Sequence, residues 1–165
     1  MGGIAIRRAR AEDREALCRL YHEFHQYHAA GVPDRLVELG VPPESYETSE
    51  LFETLAELIG RDDAAVLVSE ADGELVGMAE VYVRDDEAGV LRRPWRYALL
   101  QSLFVSANWR RRGIGRALLA AAEAWAEVQG AVEVRVDTWE FGGDPVGFYQ
   151  AVGYRTLRRT MVRSV

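Results

Sequence analysis

The sequence predicts an α/β (α+β) domain: a mixed, mostly antiparallel sheet with a central parallel strand pair, flanked by helices. Three observations carry this expectation. Residues 65–70 and 75–84 are strand-like runs joined by Ala71-Asp72-Gly73-Glu74, whose Asp-Gly step signals a tight hairpin and therefore antiparallel pairing. Residues 97–105 are nearly all apolar, as suits a strand buried on both faces. A loop, an amphipathic helix and the alternating run 132–138 follow, and such a crossover sets its two strands parallel.

The remaining elements follow in chain order. Residues 4–8 are a short strand candidate, and 11–29 read as a helix with Leu17, Leu20, Tyr21 and Phe24 at helical spacing. Cys18 lies beside them with nothing nearby to lower its pKa, so it reads as a small hydrophobe. His22, His25 and His28 recur every third residue, which makes a drifting band around the helix rather than a tight ligand face. They read as a solvated face, with the lining of a substrate cleft as the alternative, and no metal site is expected. Gly31, Pro33, Gly40, Pro42 and Pro43 make residues 31–46 a loop or broken connection. Thr48 or Ser49 then caps a helix that runs to Ile59, turns Leu51, Phe52, Leu55 and Leu58 inward and stops at Gly60. Residues 85–96 are polar, contain Gly89 and Pro94, and read as a loop or exposed hairpin tip. The helix after the long apolar strand places Ile114, Leu118, Ala122 and Trp125 on one side and ends at Gly130. Asp144-Pro145 opens a last helix over 145–152 that stops at Gly153, and 154–157 with 160–163 suggest a closing pair of short strands. Residues 1–165 are read as one domain.

Composition narrows the function. No apolar run approaches the roughly 20 residues that span a bilayer, and the first residues lack the apolar core of a signal peptide. With a single Cys there is no internal disulfide, so a cytoplasmic protein without membrane attachment is expected. A net charge of −6 argues against nucleic-acid binding and favours cationic small molecules in an open cleft. Every basic residue is Arg.

The most informative stretch is Arg110-Arg111-Arg112-Gly113-Ile114-Gly115-Arg116, between the apolar strand and its helix. Glycines admit a close backbone approach, and the unpaired N–H groups and dipole of a helix start favour a phosphate there. The chain has no Lys, so a Walker loop is excluded. A dinucleotide fold lacks support too, because a third Gly is missing and a long insert separates Gly113 from Val105.

Arg110-Arg111-Arg112-Gly113-Ile114-Gly115 resembles the Gln/Arg-x-x-Gly-x-Gly/Ala acetyl-CoA loop of the GNAT (Gcn5-related) N-acetyltransferases. As in that family, a strand ending Leu103-Phe104-Val105 precedes it, and Phe148-Tyr149-Gln150-Ala151-Val152-Gly153-Tyr154 resembles the Phe-Tyr-x-x-x-Gly-Phe/Tyr signature of the last helix. The sequence departs from the pattern at Ala107, Arg111, Gly142 and Gln101, where the family often has Pro, Gly, Asn and an acidic residue.

The resemblance implies a GNAT-type acyl-CoA acyltransferase fold and acetyl-CoA as co-substrate, with no metal. Backbone N–H groups from Arg111 to Arg116, Ile114 among them, would cradle the pyrophosphate, with added charge from Arg110, Arg111 and Arg112. The backbone of Leu103, Phe104 and Val105 would pair with the pantetheine arm, and Phe148 belongs to the cofactor-binding signature. Transfer would be direct to a primary amine, with Tyr149 protonating the leaving thiolate because phenol and thiol pKa values lie close together. Gln101 cannot act as base, so Glu80 is the first candidate, with Glu140, Asp137 or a water relay behind it. The acceptor site is expected from residues 22–46 and 85–96. A small-molecule amine is the leading acceptor. A protein N-terminus or lysine, and an idle acetyl-CoA-binding module, are the alternatives. Trp95 and Trp139 are candidate anchors of a homodimer or walls of a cleft.

Overall fold

The computed structural model of the chain describes residues 3–142 and 145–164. Strand β1 (Ala5–Arg8) leads through a short 3-10 turn into α1 (Arg14–Gly31), and α2 (Glu50–Ile59) follows a long connection. Strands β2 (Ala64–Ala71), β3 (Glu74–Asp86) and β4 (Trp95–Val105) come next, then α3 (Ile114–Val128), β5 (Val134–Val136) and α4 (Pro145–Ala151). The five strands lie in sheet order β1-β2-β3-β4-β5, antiparallel throughout except for β4 with β5. The expected mixed sheet and crossover are therefore present.

Local chemistry fixes these elements. The Ser49 hydroxyl accepts the Phe52 N–H at 3.2 Å and starts α2. At the β1–α1 junction the Asp13 carboxylate accepts the Arg10 N–H at 2.7 Å and both Arg7 guanidinium nitrogens at 2.7 and 2.9 Å. Arg7 also donates to Glu70 on β2 at 3.0 Å, so one arginine ties three segments together. Those bonds hold the Asp13 carboxyl below its ordinary value.

The sheet alternates between two cores. Met78 and Phe104 join Leu17, Leu20, Leu55 and Leu58 beneath α1 and α2. Ala79, Val81, Ala98 and Leu100 face Ile114, Leu118 and Ala122 of α3, with Phe148 and Tyr149 of α4 against the same cluster. Helix α3 approaches closely at Gly77, where a Cβ would stand 2.9 Å from the Phe104 carbonyl oxygen and 3.1 Å from Leu118. Cys18 is buried in the α1 core, and burial pushes its thiol up to about 11, consistent with a packed hydrophobe.

The C-terminal part departs from expectation. Strand β5 has three residues instead of the seven expected over 132–138, and 154–157 and 160–163 form no strand. The β4–β5 pair thus lies at one end of the sheet rather than inside it. Only Arg158 and Arg159 separate the two expected strands, which is like-charged and poor turn chemistry, and three residues of β5 offer little edge to pair with. Leu157, Met161 and Val162 consequently stay exposed. The expected cap Asp144 lies outside the described residues.

Candidate active site

The site begins where β4 and β5 part. Their pairing covers Ala98 with Val134, Leu99 with Arg135 and Leu100 with Val136, and β4 then runs five residues further, from Gln101 to Val105, with no strand among the described residues on that side. At the same point β4 carries a bulge. Glu80 opposes Ser102 and Val81 opposes Leu100, which leaves Gln101 unopposed and exposed. The bulge keeps Ser102 and Phe104 on the α1 face while Leu100 and Ala98 point to α3.

The free edge of β4 leads into the arginine–glycine loop. Residues Ala107–Trp109 form a 3-10 turn, after which Arg111 and Gly113 take left-handed φ values of 65° and 82°. A glycine supplies this conformation without strain, and it turns the chain sharply into α3. The first intrahelical bond joins the Ala117 N–H to the Gly113 carbonyl at 3.0 Å, so the N–H groups of Ile114, Gly115 and Arg116 project from the helix start. An anion seated there meets three donors and the positive end of a 15-residue helix.

The arginines divide their roles. Arg110 donates to the Val105 carbonyl at 2.9 Å and lies 4.8 Å from the Tyr27 ring centroid, so it fastens the loop to β4 and α1. Arg112 donates to the Asn108 carbonyl at 3.2 Å and stacks on Trp109 at 4.7 Å. Arg111 and Arg116 are exposed at the loop and helix start. The Ser106 N–H bonds the Val76 carbonyl on β3, so Phe104 also turns its backbone to β3; with the Val105 carbonyl accepting Arg110, the Leu103 N–H and carbonyl and the Val105 N–H are what β4 offers a ligand.

Helix α4 brings the second motif to the first. The Phe148 ring lies 3.6 Å from where a Gly115 Cβ would stand, and Tyr149 packs at 5.1 Å against Phe148 and at 5.4 Å against Tyr154. The Tyr149 hydroxyl has no hydrogen-bond partner among the described residues, and burial pushes its pKa up to about 12. The phenol is thus protonated across the neutral range, and it stands further above a thiol than the ordinary values suggest.

Glu80 is neither solvent-facing nor alone. Only 8% exposed, it accepts the Tyr21 hydroxyl at 2.6 Å and the Ser102 hydroxyl at 3.1 Å, and it also accepts the Tyr82 hydroxyl. Burial raises the pKa of both tyrosines, and the Glu80 charge reinforces it, so both remain donors. The sequence marks Tyr21 only as a helix-spaced aromatic, and nothing in it marks Tyr82 or Ser102 as site residues. The one available signal is the Glu80–Tyr82 spacing, which places both side chains on the α1 face of β3. Asp137 and Glu140, the other base candidates, are exposed after β5.

The expected acceptor segments each line a cavity. One of about 630 Å³ lies between α1 and the following connection, with His22, Glu23, Gln26, Val41, Phe104 and Arg110 among its walls. Here the connection is stitched to α1 by the His25–Val37 and Gln26–Leu39 hydrogen bonds, each 2.7 Å. His28 is bonded to the Phe24 carbonyl at 2.8 Å, so the three histidines diverge. Among the described residues no group of His, Cys, Asp or Glu is arranged to hold a metal. The second cavity lies at the start of β4.

The pattern that defines the Acetyltransferase (GNAT) family matches residues 15–154, which include the β4–loop–α3 unit and the Phe148–Tyr149 helix. The chain belongs to the GNAT acetyltransferase family. Among its relatives is the aminoglycoside N(6')-acetyltransferase type 1 of Stenotrophomonas maltophilia, 33% identical over 76% of this chain and 80% of that one. The blasticidin-S acetyltransferase of Streptomyces morookaense is 42% identical over a shorter stretch, 37% of this chain and 44% of its own. The fold matches that of the aminoglycoside N-acetyltransferase AAC(6')-Iy in complex with the bisubstrate analogue CoA-S-monomethyl-acetylneamine, with a TM-score of 0.74, 20% identity and coverage of 99% and 98% of the two chains. It also matches a Bacillus halodurans protein with a TM-score of 0.86, 18% identity and coverage of 98% and 99%. This GNAT protein is an acetyl-CoA-dependent N-acetyltransferase.

Proposed function

We propose that the cofactor lies across the parting of β4 and β5. Its pyrophosphate would rest on the α3 N–H groups and its pantetheine along the β4 edge from Leu103 to Val105. The observation that carries this reading is the juxtaposition of an unpaired β4 edge with a helix start whose N–H groups project beside it. A neutral primary amine attacks the thioester carbonyl carbon, the C–S bond breaks, and the thiolate takes a proton from the Tyr149 hydroxyl, which bulk water restores. The proton lost by the new ammonium passes to Glu80 through its shell of hydroxyls, with half-buried Tyr82 as the outer member. Residues 1–165 act as one unit, in the cytoplasm where acetyl-CoA is at hand.

The acceptor presents its amine at the parting of the strands. The names of the curated relatives favour an amino-sugar or nucleoside antibiotic as the model substrate class. A thiol-release assay with acetyl-CoA across amino sugars, polyamines, amino acids and peptide N-termini tests this. Release with small amines alone is expected, and release only with peptides overturns it. The exposed Trp95 and Trp139, together with the exposed Leu157, Met161 and Val162, support a homodimer, which sedimentation equilibrium tests directly.

A further inference from the structure

The cavity at the start of β4 has a chemistry that the acidic composition does not foreshadow. About 480 Å³ in volume, it is lined by Asp86, Arg92, Arg93, Tyr97, Arg135 and Arg158. They come from the end of β3, the β3–β4 tip, β4, β5 and the C-terminal segment. Arg135 is locked in place: it donates to Glu133 at 2.6 Å and to Asp86 at 3.3 Å, and its guanidinium lies 3.7 Å from the Tyr97 ring centroid. Arg92, Arg93 and Arg158 form no ion pair among the described residues, although Arg7, Arg19, Arg61 and Arg96 are all paired with carboxylates. Four guanidinium groups thus face one lining carboxylate, with Glu133 behind Arg135. The cavity keeps a positive surplus in a protein of net charge −6.

Its position relates it to the reaction. Tyr97 pairs with Arg84 and Leu99 with Tyr82, so Tyr97 lies on the sheet face that carries the Tyr82–Glu80–Ser102 network. Arg135 is the register partner of Leu99, one residue before β4 and β5 part at Leu100 and Val136. Tyr97 lies three residue steps along β4 from that point, about 10 Å at ~3.3 Å per residue.

We propose that this cavity is an acceptor subsite for an anionic group, a phosphate or carboxylate carried about 10 Å from the reacting amine. The inference rests on the placement of the transfer point given above. Guanidinium forks bind such groups bidentately, and the fixed Arg135 supplies a preorganised floor beneath the exposed Arg92, Arg93 and Arg158. A polycationic amino sugar would meet like charge here. The arginines therefore select, within the small-amine class, an amine that is anionic at its far end.

Two arms test this. In the first, inorganic pyrophosphate is titrated by calorimetry into protein saturated with CoA, so that the α3 helix start is already filled. Wild-type protein is expected to bind it, and the surface double variant Arg92→Ser/Arg93→Ser to bind it about tenfold or more weakly, the effect of one charge-assisted contact. Equal binding by the two proteins, or none by either, overturns the anion site. The second arm compares 6-aminohexyl phosphate with 6-amino-1-hexanol as acceptors. The phosphate is expected to have about tenfold or higher kcat/KM, and the double variant to bring the ratio toward one. A wild-type ratio of one or below, with both amines acetylated, overturns the acceptor assignment. Thiol release with neither amine, alongside pyrophosphate binding that the double variant loses, refutes the placement of the transfer point and supports the anion site by itself.

Discussion

Replacing Tyr149 by Phe separates a catalytic from a structural role with unusual clarity. The ring is held by Phe148, Tyr154 and the α3-side core, and Phe preserves all of those contacts. The hydroxyl makes no hydrogen bond to the described residues, so its removal breaks none there. The expected stability change is within about 0.5 kcal/mol, as for substitutions that remove no named interaction. Loss of a proton donor costs about 10²–10⁴ in rate, or ~3–5 kcal/mol of barrier. Acetyl-CoA affinity should move little, because the hydroxyl acts on the leaving sulfur and not on the pyrophosphate. The assay is kcat by thiol release with a saturating amine, alongside a thermal melt and calorimetric acetyl-CoA binding. Since burial places the Tyr149 pKa at about 12, the wild-type pH–rate profile should show no alkaline fall attributable to this group below pH 10. Wild-type turnover in the variant would refute the assignment. So would a large drop in melting temperature that accounts for the lost activity.

Glu80→Gln keeps the shape of the buried carboxylate but removes its charge from three hydroxyl donors; we expect ~1.5–3 kcal/mol lower stability and an altered pH–rate profile, and a superimposable profile would take Glu80 out of the proton path. Gly113→Glu forces a side chain into the left-handed region, at about 1–2 kcal/mol, and places a carboxylate at the helix start, so calorimetric binding of acetyl-CoA should vanish; unchanged affinity would remove the loop from the cofactor site. Asp13 has a folded pKa held below the ordinary 3.8 by Arg7, so its stabilisation is fully present above that value and is lost as pH falls through the folded pKa. Chemical denaturation between pH 5 and pH 2 should therefore show a steeper loss for wild type than for Asp13→Asn, which starts about 1–3 kcal/mol less stable; parallel curves would contradict the linkage.

The parts of this protein that the sequence determined are local. A strand, an arginine–glycine loop and a helix start are contiguous, so their order alone places N–H donors at one point, and the Phe148–Tyr149 motif marks its partner helix. The hairpin at Asp72-Gly73 and the Ser49 cap are likewise written in neighbouring residues. Tertiary structure decided what distant segments bring together. Glu80 is legible as a strand carboxylate. Its burial under Tyr21, 59 residues away, and Ser102, 22 residues away, depends on α1 docking and on a bulge at Gln101 that no local signal announces. Likewise the arginine-lined cavity joins Arg92, Arg135 and Arg158, each an ordinary surface charge in its own segment. The closing strands expected after Gly153 failed for the converse reason: their local pattern is adequate, but pairing needs a turn and a partner edge, and Arg158-Arg159 and a three-residue β5 provide neither. Side-chain chemistry along the chain sets what each segment can bind. Only the sheet, by bringing strand ends into register, sets which of those groups act on one ligand.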